Sequence, residues 1–187
     1  MSDKNAVFKF CPCCGQKSAI TYVQRRHWVC SSCGFDLFNN VAASVGLIIK
    51  DAQGRILFET RAKEPRKGFL ALPGGFVDPN ESAEEAAFRE CREETGITPA
   101  SVSFVCTSPN TYEYKDIVYK TCDIFFAAKL KKDFPSSDLI SSLTPQQSEV
   151  ESFSLHKVES DSDIDNLPLA FDSARNALKT YLKQHLD

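Results

Sequence analysis

No apolar run in this 187-residue chain approaches the length needed to cross a bilayer, and no low-complexity tract interrupts it. Membrane-spanning and repetitive scaffold roles are set aside on that ground. An excess of positive charge is also missing: 22 Lys and Arg stand against 25 Asp and Glu, for a net charge of −3. General attraction to a polyphosphate backbone is therefore not expected. Met1 to Asn5 lacks the apolar run of a secretory signal, so a reducing, cytoplasmic setting is the expectation. No internal repeat is found beyond two cysteine knuckles. What remains is a chain of ordinary composition, 25% charged and 42% hydrophobic, long enough to bury one main core beside a small appendage.

The appendage is marked by cysteines. Cys11 and Cys14 form a C-x-x-C pair, fifteen residues pass, and Cys30 and Cys33 repeat it, each pair being followed by a glycine, Gly15 and Gly34. A glycine lets the backbone turn tightly enough for two thiolates to converge, and four sulfurs in this arrangement suit tetrahedral Zn²⁺. Cys13 lies between the first two ligands and competes with them, but the spacing favours Cys11 and Cys14. All four positions are filled by protein thiolates, so the expected role of the zinc is structural. Cys91, Cys106 and Cys122 are scattered singly and read as core or half-buried thiols.

A second constellation runs from Gly75 to Ile97, GFVDPNESAEEAAFRECREETGI. Ser82 followed three residues later by Glu85 is a capping box, which predicts a helix starting there, and Gly96 is a natural stop. On that helix Glu90, Glu93 and Glu94 stand at i, i+3 and i+4, which gathers their carboxylates on one face. Such crowding costs about 0.2–0.5 kcal/mol per pair on an isolated helix, and it makes sense if a hard cation sits among them. Mg²⁺ and Mn²⁺ prefer oxygen ligands. Upstream, Leu72, Pro73, Gly74 and Gly75 form a tight turn whose carbonyls can approach the same ion.

These residues resemble the Nudix box, G-x5-E-x7-R-E-U-x-E-E-x-G-U with U apolar, at every fixed position, Cys91 standing where an aliphatic residue is usual. The resemblance implies an α/β fold, a Nudix-type α/β/α sandwich with a mixed sheet. It implies a metal-dependent hydrolase cleaving the pyrophosphate bond of a nucleoside diphosphate linked to another moiety, as in a dinucleotide or ADP-ribose. Glu90 and Glu94 would chiefly hold Mg²⁺ or Mn²⁺, with Glu93 and the Gly75 carbonyl completing the shell, while Glu81 and Arg89 hold loop and helix together. A four-cysteine ribbon directly before the box domain is similar to the NADH pyrophosphatase branch, whose members pair as homodimers. On that comparison residues 1–38 are the zinc ribbon and residues 39–187 the Nudix domain. The dinucleotide motif of that branch, S-Q-P-W-P-F-P-x-S, is only partly matched by TSPNTYEY, Thr107 to Tyr114, which keeps a serine and one proline but no tryptophan. NADH as the particular substrate is therefore not implied. Relatives take their base either from a box glutamate or from a later loop; the stretch QSEVESFSLHKV resembles that later family segment and makes Glu149 the candidate there, with Glu151 behind it.

Tyr112, Tyr114 and Tyr119 have two readings, stacking on a nucleobase or packing across strands. Arg61, Lys63, Arg66 and Lys67 stand in a loop that either meets a phosphate or is merely solvated. Two other functional classes stay open: an RNA-directed ribbon protein, cap-removing or RNA-binding, using Arg25, Arg26 and His27 beside Trp28, and a non-catalytic nucleotide sensor. By periodicity, Val41 to Lys50 and RILFETRA are expected to form a hairpin, Ser101 to Thr107 and Ile117 to Lys129 further strands, and Ser173 to His185 an amphipathic helix packing on the core or on a second copy.

Overall fold

A computed structural model of the chain describes residues 8–24, 26–115, 117–131 and 139–185. Arg25 lies outside them. The chain divides into two compact units, Met1–Val41 and Ala42–Asp187.

The first unit is an antiparallel sheet of three short strands, β1 (Ile20–Val23), β2 (His27–Cys30) and β3 (Asp36–Phe38), with β2 in the middle. Its apolar interior is small. Cys11, Ala19 and Cys30 are buried with Ile20 and Phe35 against them, and Trp28 packs against Phe8 and Tyr22. So little burial cannot offset the entropy of ordering the strands, which is why such units ordinarily need a metal.

The second unit holds two three-stranded sheets, and its helices lie over two separate apolar clusters. One sheet runs β4 (Ala42–Ile49), β8 (Ile117–Lys129), β7 (Ser101–Tyr114); the other runs β6 (Leu70–Ala71), β5 (Ile56–Arg61), β9 (Val150–His156). The first is mixed, β4 pairing parallel with β8 while β7 and β8 pair antiparallel. The fold is thus the expected α/β architecture with strands of both orientations. The expected β4–β5 hairpin is corrected: beyond an isolated bridge of Lys50 to Ile56 the two strands enter different sheets. Both are apolar on two faces, Leu47, Ile48 and Ile49 and then Ile56, Leu57 and Phe58 being buried in succession. Strands covered on both sides find partners through the core rather than through a local turn. Residues 107–114 belong to β7, an edge strand, where Pro109 costs no ladder bond to a further neighbour.

Helix α1 (Ala83–Thr95) begins at the predicted box, Ser82 Oγ accepting from the Glu85 N–H and the Glu85 carboxylate accepting from the Ser82 N–H. Gly96, left-handed, closes it. Its Ala86, Ala87 and Cys91 pack with Leu47, Leu57 and Phe126. Burial pushes the Cys91 thiol up to about 11, so it serves as a small hydrophobe rather than a nucleophile. A short helix α2 (Asp161–Asn166) leads into α3 (Asp172–His185), whose Ala174, Ala177, Leu178 and Tyr181 cover Ile48, Phe58 and Phe125. Of the two expectations for that terminal stripe, it is core packing that the structure displays.

Candidate active site

The diglycine turn is fastened to β4 by three backbone bonds: Leu47 N–H to Pro73 O at 2.8 Å, Val45 N–H to Gly75 O at 2.8 Å, and Val77 N–H to Ala43 O at 3.1 Å. Gly74 has φ 150°, and a methyl group there would sit 2.1 Å from the Val45 carbonyl oxygen. Only glycine fits. A methyl on Gly75 would instead stand 2.5 Å from Glu90 Oε1, which measures how closely the helix carboxylate approaches the turn.

From α1, Glu94 reaches back to the same turn and accepts the Gly74 N–H at 2.6 Å; it is 2% exposed. Arg89 organises the rest. Its Nε and Nη2 donate to the two oxygens of Glu81, both at 2.8 Å, Nη2 also donates to Phe76 O at 3.0 Å, and Nη1 donates to Glu90 at 2.7 Å and Glu93 at 3.3 Å. Glu81 additionally accepts the Asp78 N–H. With the Arg89 guanidinium and that N–H beside it, its carboxyl is held down to about 2. Loop and helix are therefore pinned by one bidentate pair, a geometry that orients as well as attracts.

Glu90 and Glu94 behave differently. Burial raises the carboxyl of Glu90 despite Arg89, and it raises that of Glu94 well above the ordinary range, with neighbouring Glu59 adding to the effect. Glu93, with a side chain 45% exposed, stands at the rim.

A cleft of about 660 Å³ opens over these residues. Glu90, Glu93, Glu94, Gly75 and Arg89 line it, and so does Glu149, which precedes β9 and pairs with Lys63 Nζ at 2.5 Å. Glu151 is exposed on β9, and His156 bonds Ser154 and meets Phe58 edge-on, away from the acidic residues. Arg61 and Lys63 reach the cleft; Arg66, Lys67 and Phe69 are not among its walls. The lining is also aromatic. Phe76 meets Tyr112 edge-on at 5.5 Å, Tyr112 lies 5.7 Å from Phe171, and the Arg61 guanidinium sits 5.3 Å over the Phe171 ring.

Three features of this cleft went unread in the sequence. Phe171 stands in the turn before α3, with no local pattern to mark it. Asp123, buried in β8, accepts from Ser44, Thr121 and Asn110 at 2.6, 2.6 and 2.9 Å and forms part of the lining. Glu59 of β5, 2% exposed, has its carboxyl pushed up to about 8 by burial. Its polar character inside RILFETRA was the one available signal.

The donor types are those a hard cation takes, although among the described residues only the four cysteines bring three or more side-chain ligand atoms within 4.8 Å of one another. Carboxylates and a carbonyl form the donor set, and Glu59 Oε2 is a buried oxygen with no hydrogen-bond partner among the described residues.

In the first unit the Sγ atoms of Cys11, Cys14, Cys30 and Cys33 all lie within 4.8 Å of one another, with contacts of 3.7 Å (Cys11 to Cys33) and 3.8 Å (Cys14 to Cys30). Zinc bonds of about 2.3 Å in a tetrahedron set sulfurs about 3.8 Å apart. The two knuckles are alike, Gly15 N–H donating to Cys11 O and Gly34 N–H to Cys30 O. Although the Phe35 N–H favours the Cys33 thiolate, the facing thiols of Cys14, Cys30 and Cys11 push it up to about 12. Sulfurs packed so closely call for a positive charge among them. Cys13 is exposed and outside the set.

The NUDIX domain family matches residues 41–172. The chain is a member of the NUDIX family. Among characterised proteins it resembles an ADP-ribose pyrophosphatase of Methanocaldococcus jannaschii, 44% identical over 79 residues, covering 41% of this chain and 46% of that protein. An RNA pyrophosphohydrolase of Pasteurella multocida is 33% identical over 78 residues, covering 42% of this chain and 38% of that one. The chain thus spans less than half the length of these relatives. In fold, it is similar to the NUDIX domain of Shewanella oneidensis NrtR complexed with ADP-ribose, with a TM-score of 0.60 at 22% identity over 80% of this chain and 91% of that one. It also resembles a NUDIX hydrolase from Nitrosomonas europaea, with a TM-score of 0.60 at 22% identity over 96% and 93% of the two chains. Among the described residues no helix is long and apolar enough to cross a membrane.

Proposed function

We propose that this NUDIX chain hydrolyses the pyrophosphate bond of a nucleoside diphosphate linked to a second moiety, ADP-ribose or a dinucleotide, releasing a nucleoside monophosphate and the phosphorylated remainder. The observation that carries the reading is Glu94, buried and bonded to the Gly74 N–H, with Glu90 against Gly75 in a cleft that aromatic rings also line. Glu90 and Glu94 would hold Mg²⁺ or Mn²⁺, with Glu93 and the Gly75 carbonyl beside them. Such a cation, when bound, neutralises the diphosphate and activates water. Tyr112, Phe76 and Phe171 offer ring faces and edges to a base, and Arg61, fixed by Pro65 O and Tyr112 OH, offers its charge to a phosphate. Glu149 stands in the cleft with Lys63 orienting it, a position from which it can take the proton of the attacking water.

Supporting a diphosphate-linked substrate is the likeness to the Methanocaldococcus pyrophosphatase, 44% identical over 79 residues. The four thiols would hold structural Zn²⁺, and a ribbon ahead of the box is the organisation of the NADH pyrophosphatase branch. We take that branch as a guide to organisation and to a homodimer, which light scattering on the purified chain tests.

The deciding experiment incubates the chain with Mg²⁺ or Mn²⁺ and a panel of ADP-ribose, NADH, NAD, FAD, diadenosine polyphosphates, nucleotide sugars, triphosphates and 5′-triphosphate RNA, with products identified by mass. Monophosphate release from diphosphate-linked compounds is expected. Cleavage of triphosphates alone, of RNA ends alone, or ligand binding without any product would each overturn the proposal.

A further inference from the structure

Glu59 is the residue in the cleft that neither the spaced acidic motif nor strand packing explains. Side chains alternate across a strand, so Leu57 and Glu59 share one face of β5 while Phe58 takes the other. Leu57 belongs to the apolar cluster beneath α1 and Phe58 to the one beneath α3. Position 59 therefore continues the face that α1 covers, and its neighbours across the strands are Ala71 on β6 and Phe153 on β9. An aliphatic residue is what that surrounding asks for. The chain places there a carboxylate that is 2% exposed and whose Oε2 has no hydrogen-bond partner among the described residues.

The nearby cations make their hydrogen bonds elsewhere, though the charge of Arg61 still favours the Glu59 carboxylate. Arg61, the next residue on this face, donates Nε to Pro65 O and Nη2 to Tyr112 OH, and Lys63 is paired with Glu149. The neighbouring group is Glu94, a second buried carboxylate whose like charge repels it. A like charge gives Glu59 Oε2 no partner. Burying an oxygen so is costly unless a positive charge joins it.

We propose that Glu59 is a ligand of the divalent cation held by Glu90 and Glu94, contributed by the sheet rather than by the helix. The inference rests on the reading of the acidic site given above. Its consequence is mechanical: a cation bound from α1 and the diglycine turn alone follows the helix, whereas one bound from β5 as well is fixed between two elements. Hard cations of this kind take several oxygen ligands and reward a carboxylate already aimed at them.

Mn²⁺ binding to the purified full chain, without nucleotide, tests it, with free Mn²⁺ counted by electron paramagnetic resonance and heats measured by titration calorimetry. Glu59→Gln should lose one bound ion or weaken Mn²⁺ at least tenfold while its melting temperature holds or rises, since an amide removes the repulsion with Glu94. Glu59→Asp keeps the charge but shortens its reach, and an intermediate affinity is expected. If Glu59→Gln fails to fold, this second variant decides alone, and wild-type affinity in it overturns the proposal. Glu94→Gln is the control. Wild-type Mn²⁺ affinity and stoichiometry in Glu59→Gln together with loss in Glu94→Gln would overturn the role of Glu59 and leave the acidic site standing; wild-type binding in both would overturn the two together.

Discussion

Arg89 holds more of this site than any other single residue, because one planar guanidinium joins Glu81 from the loop, the Phe76 carbonyl from the turn, and Glu90 from the helix. Lysine has neither the fork nor the reach. Arg89→Lys is expected to lower kcat about 100-fold, as small misplacements of reacting groups do, with KM changed less; steady-state kinetics on the best substrate of the panel decides it. The Glu81 partner gives a pH signature. Its carboxyl lies near 2 in the folded chain, below the ordinary value of about 4.3. A lowered carboxyl contributes stability that is complete above the unfolded value and is lost as pH falls through the folded one. Wild-type melting temperatures should therefore drop between about pH 4 and pH 2 more steeply than those of Glu81→Gln, which is the less stable protein at neutral pH; parallel curves would remove the pair from the account. Glycines 74 and 75 separate packing from chemistry. Alanine at 74 meets the backbone of Val45 and is expected to cost about 3 kcal/mol of stability. Alanine at 75 meets the Glu90 side chain first, not backbone, so activity should fall with little change in melting temperature.

At the scale of elements, α1 places its carboxylates because both of its ends are fixed, Ser82 and Glu85 satisfying the first turn and Gly96 the last. Ser82→Ala is expected to cost about 1 kcal/mol, seen as a lower denaturant midpoint at unchanged slope. The capping signals were legible because they are local: each involves residues no more than four apart. Pairing of β4 with β8 was not, since it joins Ala42 to Thr121, and no short-range pattern carries a parallel partner. Glu59 was missed for a related reason. A glutamate on an alternating strand reads as a wet face, and only the arrival of α1 over Leu57 makes that face an interior.

For the whole molecule, stability divides between the units. Ala42–Asp187 has two substantial apolar clusters, while the ribbon has little beyond its cysteines and one tryptophan. Treatment with a strong chelator, or replacing Cys30 by serine, is expected to make the segment ending near Val41 sensitive to limited proteolysis and to leave a protected fragment of the second unit. Mass spectrometry of the digest reads the result, and a ribbon that stays resistant without metal would contradict a structural role for it.

The four converging thiols, the capped helix and the spacing of Arg89 and its neighbouring glutamates were written in the order of residues, because ligand spacing and helix periodicity are properties of a short stretch of chain. Which carboxylates turn inward was decided by tertiary structure alone. Glu93 and Glu94 are adjacent, yet one stands at the rim and the other is buried against Gly74, and Glu59 and Phe171 join the cleft from remote segments. Burial depends on what the rest of the chain brings over a residue, and that is settled only when the sheets and helices close on one another.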